Sequence, residues 1–83
     1  MLRTEAKNSN SKNILSYGWE PRSMHEQQVG TLQVEFSGRN GVSTVYDYAN
    51  VPYTKWIGLT HADSAGAYLN SEIKPNYEAK KVQ

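Results

Sequence analysis

Hydrophobic and polar residues alternate most regularly over positions 31–38, where the sequence is TLQVEFSG. Leu32, Val34 and Phe36 fall on one side of an extended chain, and the residues between them are polar. A period of two is typical of a strand that buries one face and leaves the other in water. We therefore predict a half-buried β-strand here.

Two more strands are predicted beside this one. Residues 14–20, ILSYGWE, have the composition of a strand and are followed by a polar loop over residues 21–30. Gly38 and Gly41 supply the positive φ values that a tight hairpin needs. Residues 42–51 are therefore predicted to return as a third strand.

A helical pattern begins at Pro52, because proline is well tolerated at the first helical position. Trp56 follows at helical spacing and a leucine comes one turn later, which predicts an apolar stripe to about residue 62. Asp63 or Ser64 can then cap a second helix over residues 65–74, AGAYLNSEIK.

The predicted order of elements is β-β-β-α-α. This is an α+β fold in which a three-stranded antiparallel β-meander is followed by a helical hairpin packed on one face. Residues 1–13 are predicted to form a polar N-terminal arm, residues 14–77 the domain, and residues 78–83 a polar C-terminal tail.

The amino-acid composition excludes several classes of protein. Nine basic and eight acidic residues give a formal charge of +1, too small for a protein that grips duplex phosphates over a wide surface. The chain has no cysteine, so neither a disulfide nor a thiolate metal site is expected. No apolar run resembles a signal peptide or approaches the roughly 20 residues of a membrane span. We therefore expect a cytoplasmic protein without a membrane partner.

The nine aromatic residues are the unusual part of the composition. Tyr46 and Tyr48 alternate in YDY and share one face of the third strand. Asp47 between them is poorly suited to burial, so the tyrosine face is predicted to turn toward the helices. The two rings are then either core residues or a platform on which a base stacks, each stacked base contributing roughly 1–3 kcal/mol.

The sequence gives little reason to expect a catalytic site or a metal site. His25 lies in a polar loop and His61 opens the sequence HADS, but a catalytic triad requires convergence in space, not adjacency along the chain. Two histidines without clustered carboxylates do not predict a metal site. We expect neither enzymatic activity nor a cofactor.

The ordered residues from YDY through the helical segment resemble the KTSC domain, named after the C-terminal extension of some lysyl-tRNA synthetases. The resemblance runs from about Ser11 to Tyr77. It departs from the family in its longer 21–30 loop and at Leu69, where an aromatic residue is commoner. The matching helical positions are Val51, Pro52, Trp56, Leu59, Ala62, Ser64, Gly66, Tyr68, Asn70, Ile73, Lys74 and Tyr77. The resemblance implies the fold, an association with RNA through the synthetase members, and a stand-alone bacterial or phage protein.

A candidate anion site lies in DSAGAY, residues 63–68. Ser64 and the following backbone N–H groups could hold a phosphate, with Lys74 or Arg39 closing the site. In the other interpretation, Ser64 caps the helix and Gly66 allows close packing.

The predicted function is a non-enzymatic small binding module for a nucleotide-type ligand or RNA. Its most specific form is a phage protein that acts in the host cytoplasm as an anti-defence sponge, sequestering a host nucleotide immune signal. A homo-oligomer suits this role because a pocket between subunits can enclose a ligand. The predicted ligand contacts are Tyr46, Tyr48, Trp56, Ser64, Gly66, Asn70, Lys74 and Arg39. The alternative is a protein–protein interaction module acting through the 21–30 loop, with Met24 and Val29 as anchors, or through an edge strand.

Overall fold

Antiparallel pairing joins five strands into one sheet within residues 2–8 and 13–83, the part of the chain that the computed structural model describes. The strands are β1 (Thr4–Glu5), β2 (Ile14–Pro21), β3 (Val29–Ser37), β4 (Ser43–Pro52) and β5 (Ala79–Lys81). They lie side by side in the order β1-β2-β3-β4-β5. The three central strands precede the helices, and the short β5 follows them.

The α+β class is confirmed, but the prediction of a three-stranded meander was wrong. Strands β1 and β5 extend the sheet on both sides of β2, β3 and β4. Both are short and exposed, so no hydrophobic alternation marks them in the sequence. Backbone hydrogen bonds hold them instead: the Ala6 N–H donates to the Leu15 carbonyl at 3.0 Å, and the Val82 N–H donates to the Val45 carbonyl at 2.8 Å.

Two helices follow β4. Helix α1 spans Tyr53–His61, and helix α2 spans Ala65–Tyr68 and continues as a π-helical turn over Leu69–Ile73. Ser64 caps α2, because its hydroxyl accepts a hydrogen bond from the Ala67 N–H at 3.3 Å. The predicted second helix is therefore present, but its latter half is a π-turn.

The core lies between one face of the sheet and the two helices. The alternation in β3 is confirmed, because Leu32 and Val34 are fully buried on the helix side. Tyr48 is buried beside them, and Tyr46 packs against the core from its edge. The other core residues are Ile14, Tyr17, Val51, Leu59, Ala65, Leu69 and Ile73.

Asn8, in the segment that precedes β2, ties the two helices to the sheet. Its side-chain amide donates to the carbonyls of Leu59 and Ala62, both at 2.8 Å, at the end of α1. Its side-chain oxygen accepts a hydrogen bond from the buried Tyr17 hydroxyl at 2.8 Å. Its backbone carbonyl accepts from the Ala65 N–H at 2.9 Å. One polar side chain therefore satisfies two helix-end carbonyls and one core hydroxyl.

The face of the sheet opposite the helices carries polar side chains, and Glu35 is held firmly among them. Its two carboxylate oxygens accept hydrogen bonds from the hydroxyls of Ser16 at 2.8 Å and Ser43 at 2.9 Å. The Ser16 bond, followed by the Ser43 bond, lowers the pKa of the Glu35 carboxyl below its ordinary value of 4.5. The serines thus stabilise the ionised carboxylate on the folded sheet.

The serine pair is expected to give a pH-dependent contribution to stability. Because the folded pKa of Glu35 is lowered, the contribution is fully present above pH 4.5 and is lost as the pH falls through the folded pKa. In urea titrations, Ser16→Ala/Ser43→Ala should be less stable than the parent protein at neutral pH, and the gap should shrink in acid. Ser71→Ala serves as control, because the Ser71 hydroxyl donates to a backbone carbonyl, at 3.4 Å. An equal gap at every pH would contradict the assignment.

Candidate functional site

A groove opens on the helix side of the sheet, where the π-turn passes the ends of β3 and β4. It has two compartments. The first has a volume of about 420 Å³ and is lined by Asn13, Phe36, Ser64, Gly66, Asn70 and Lys74, among others. The second has a volume of about 260 Å³ and is lined by Phe36, Tyr46, Tyr48, Lys74 and Ala79. Since both compartments share Phe36 and Lys74, we treat them as one site and call it the Lys74 groove.

The π-turn sets the position of Lys74. The Lys74 N–H donates to the Leu69 carbonyl at 2.8 Å, a bond that spans five residues instead of the four of an α-helix. The wider turn rotates Lys74 toward the side of the helix on which Leu69 is buried. Its ammonium nitrogen consequently lies 5.2 Å from the centre of the Phe36 ring, within the range of a cation–π contact.

Phe36 and Tyr46 form the aromatic part of the groove. Their ring centres are 5.8 Å apart and their planes meet at 75°, an edge-to-face arrangement. Both rings are half-buried, so each keeps some surface toward the groove. Sequence reasoning assigned Phe36 to the core and missed it as a site residue. Its alternation with Leu32 and Val34 gave no signal that its ring lines a groove.

The two tyrosines of YDY differ in their surroundings. Tyr48 is only 3% exposed and belongs to the core, where burial, and secondarily the nearby Tyr46, raise the pKa of its hydroxyl. Tyr46 stands at the core edge and lines the second compartment with Phe36. The structure thus places Tyr48 as the floor of the groove and Tyr46 as part of its wall.

The remaining predicted contacts have three different outcomes. Ser64, Gly66 and Asn70 line the first compartment together with Lys74. Trp56 packs into the core instead, with its ring edge-on to Tyr17 at 5.3 Å. The prediction for Arg39 concerns a side chain that lies outside the described part of the structure.

Among the described residues that line the groove, Lys74 carries the positive charge. Lys55 forms an ion pair with Glu72 at 2.9 Å, and this hydrogen bond raises the pKa of the lysine. Lys55 is therefore already engaged with an acidic partner. A phosphate or other anion in the groove would meet the Lys74 ammonium at the junction of the two compartments.

His61, the histidine of the HADS sequence, is the last residue of α1. Its Nδ1 atom lies 2.9 Å from the Ile57 carbonyl oxygen, one turn back in α1. Over residues 2–8 and 13–83, no group of three or more histidine, cysteine, aspartate or glutamate side chains is arranged to hold a metal ion. Within the same residues, every helix is too short or too polar to cross a membrane.

A family model and a solved structure both relate this chain to the KTSC domain. A protein-family model described as the KTSC domain matches residues 10–77. The crystal structure of the KTSC domain protein YPO2434 from Yersinia pestis is similar, with a TM-score of 0.74 and 24% sequence identity. That match covers 99% of this chain and 97% of the other. At this identity the likeness shows the fold alone. A search of curated protein sequences gave no match.

Proposed function

The chain belongs to the KTSC domain family, and from that premise we propose that it is a non-enzymatic module that binds a small nucleotide-type ligand in the Lys74 groove. One observation carries the proposal. The Lys74 ammonium lies 5.2 Å from the centre of the Phe36 ring, at the junction of the two compartments. A cation beside partly exposed aromatic rings is the combination that a phosphate joined to a flat base requires.

Each part of the groove suits one part of such a ligand. Phe36 and Tyr46 offer ring surface for a base, since aromatic side chains stack on any base without reading its sequence. Lys74 supplies the charge for a phosphate, and Asn70 supplies an amide for hydrogen bonds to ribose or base. The first compartment, at about 420 Å³, already falls within the size range of small-molecule pockets, which begins at about 300 Å³.

Charge favours a small ligand over an extended RNA. The formal net charge is +1, and phosphate contacts along a strand would need several clustered basic residues. In the proposed role the protein holds its ligand without converting it. The form that we favour is a phage protein that sequesters a host nucleotide immune signal, and RNA binding is the outcome that would replace it.

The proposal is tested by native mass spectrometry after incubation with cyclic dinucleotides, ADP-ribose and a short single-stranded RNA, each alone. We expect one of the two small-molecule classes to be retained. Lys74→Gln should weaken its binding by about 10- to 100-fold, because a charge-assisted hydrogen bond is lost.

Lys7→Gln is the matched control for this experiment. It removes the same charge at an exposed position beside a separate depression, near Thr4 and Thr60. Binding that is unchanged in Lys7→Gln but weakened in Lys74→Gln supports the groove. Retention of none of the probes, or an equal loss in both variants, would overturn the proposal.

The 21–30 loop supports a second candidate function, docking on a protein partner. Met24 is 86% exposed within this loop, where Ser23 and Glu26 close a turn through mutual backbone hydrogen bonds. Val29, the other proposed anchor, begins β3 and is half-buried, so Met24 is the better anchor. Under this function, Met24→Ser would abolish capture of a partner protein, whereas Lys74→Gln would leave capture intact.

A further inference from the structure

Strand β5 is an edge of the sheet, and its backbone groups alternate between facing β4 and facing outward. The Glu78 carbonyl accepts a hydrogen bond from β4 at 3.1 Å, and the Val82 N–H donates one to β4 at 2.8 Å. Over residues 78–82 the even-numbered residues therefore bond to β4, and the alternation ends at Gln83, which also bonds to Val45. By the same alternation, the N–H and carbonyl groups of Ala79 and Lys81 point away from the sheet. They are placed to receive another strand.

We propose that two copies of the chain pair through this edge as an antiparallel dimer, with Ala79 of each copy opposite Ala79 of the other. In this register the two Ala79 residues exchange both of their backbone hydrogen bonds. The small methyl groups meet at the two-fold axis without crowding. The result is one continuous sheet across both copies. This dimer follows from the edge geometry and needs no ligand.

The charges of the side chains favour the register centred on Ala79 over the neighbouring registers. Centring the pairing on Lys80 or Lys81 would place identical lysines directly opposite each other, and like charges in that position are destabilising. Centring it on Ala79 places Glu78 opposite Lys80 of the second copy, and symmetry gives this pair twice. Both side chains lie on the sheet face away from the helices, the face that Lys80 shares with Asp47. Opposite charges at directly paired positions stabilise antiparallel strands.

Pairing of β5 with the other edge of the sheet is less well matched. Strand β1 has only two residues, Thr4 and Glu5. Joining β5 to β1 of a second copy is a head-to-tail contact, which continues into a ring or an open chain. The β5–β5 contact closes on itself. It also brings the two Lys74 grooves onto the same side of the joined sheet, because Ala79 lines the groove in each copy.

Charge reversal tests the dimer in sedimentation-equilibrium experiments over concentrations up to about 1 mM, since short edges associate weakly. The parent protein should show a monomer–dimer equilibrium. Glu78→Lys and Lys80→Glu each turn two attractive pairs into two repulsive ones, and each should weaken association by about tenfold. Mixing the two variants should restore the dimer as a heterodimer, because every facing pair is then of opposite charge.

Lys81→Glu is the control for this test, because it makes the same change of charge on the other face of β5, beside Tyr46. It should leave dimerisation within about twofold of the parent protein. Mixing Glu78→Lys with Lys80→Glu also distinguishes repulsion at the interface from misfolding. If either variant had a misfolded β5 edge, the mixture would not form a heterodimer. A parent protein that stays monomeric, larger open-ended species, or a mixture that stays monomeric would each overturn the proposal.

Discussion

An Asn8→Ala variant is expected to lose about 2–3 kcal/mol of the free energy of unfolding, a large share of the stability of a small domain. The Asn8 amide donates to the Leu59 and Ala62 carbonyls at the end of α1, and its oxygen accepts from the Tyr17 hydroxyl. Alanine removes all three side-chain bonds at once. Tyr17 is only 5% exposed, so water cannot readily replace the partner of its hydroxyl.

A double-mutant cycle with Tyr17→Phe identifies the source of that loss. Once Asn8 has been shortened, removing the Tyr17 hydroxyl takes away a group that has already lost its partner. The double variant should therefore be more stable than the sum of the two single losses predicts, by about 1 kcal/mol. Urea titrations measure all four proteins. Strict additivity, or an Asn8→Ala variant as stable as the parent, would show that the amide does not satisfy the hydroxyl.

The second large effect concerns ligand affinity. Tyr46→Ala should weaken binding of the retained nucleotide by about 5- to 100-fold, because the base loses the tyrosine ring on which it stacks. Tyr46→Phe keeps the ring and should bind nearly as well as the parent protein. Isothermal titration calorimetry gives the three affinities. Equal affinities for Tyr46→Ala and the parent would remove Tyr46 from the site.

Tyr48→Ala and Tyr53→Ala complete this comparison. Tyr48 is buried, so its truncation should lower the free energy of unfolding by about 3–5 kcal/mol. Tyr53 is exposed at the start of α1 and contacts Trp19, away from the groove. Its truncation should change the affinity by less than about twofold. The three variants thus distinguish the wall of the groove, where truncation lowers affinity, from its buried floor, where truncation lowers stability. Tyr53 shows the effect of truncating a surface tyrosine away from the groove.

The central strands and helices were predictable because their buried apolar residues recur at regular spacing in the sequence. The alternation through Leu32 and Val34 places β3 correctly, and Pro52 marks the start of α1 within one residue. The two edge strands have no such regular spacing of apolar residues. Thr4–Glu5 and Ala79–Lys81 are exposed, and their place in the sheet depends on backbone hydrogen bonds that any side chain permits.

The candidate site was predictable only in part, for the same reason. The four-residue spacing of Leu69 and Ile73 fits an ordinary helix, so the π-turn that directs Lys74 toward Phe36 is invisible in the pattern. Periodicity assigns Phe36 to the same face as Leu32 but cannot show where the helices stop covering it. The role of Asn8 was not predictable from the sequence either, because its side-chain amide stabilises the fold only through carbonyls that lie far away along the chain.

Amide chemical-shift mapping by NMR tests directly whether the Lys74 groove binds a nucleotide-type ligand. The ¹⁵N-labelled protein is titrated separately with ADP-ribose, a cyclic dinucleotide and a short single-stranded RNA. One of the two small molecules should shift the amides of Phe36, Tyr46, Asn70 and Lys74 in a saturable way, while those around Met24 stay unchanged. Shifts confined to the 21–30 loop, saturation by the RNA alone, or no shift with any probe would contradict it.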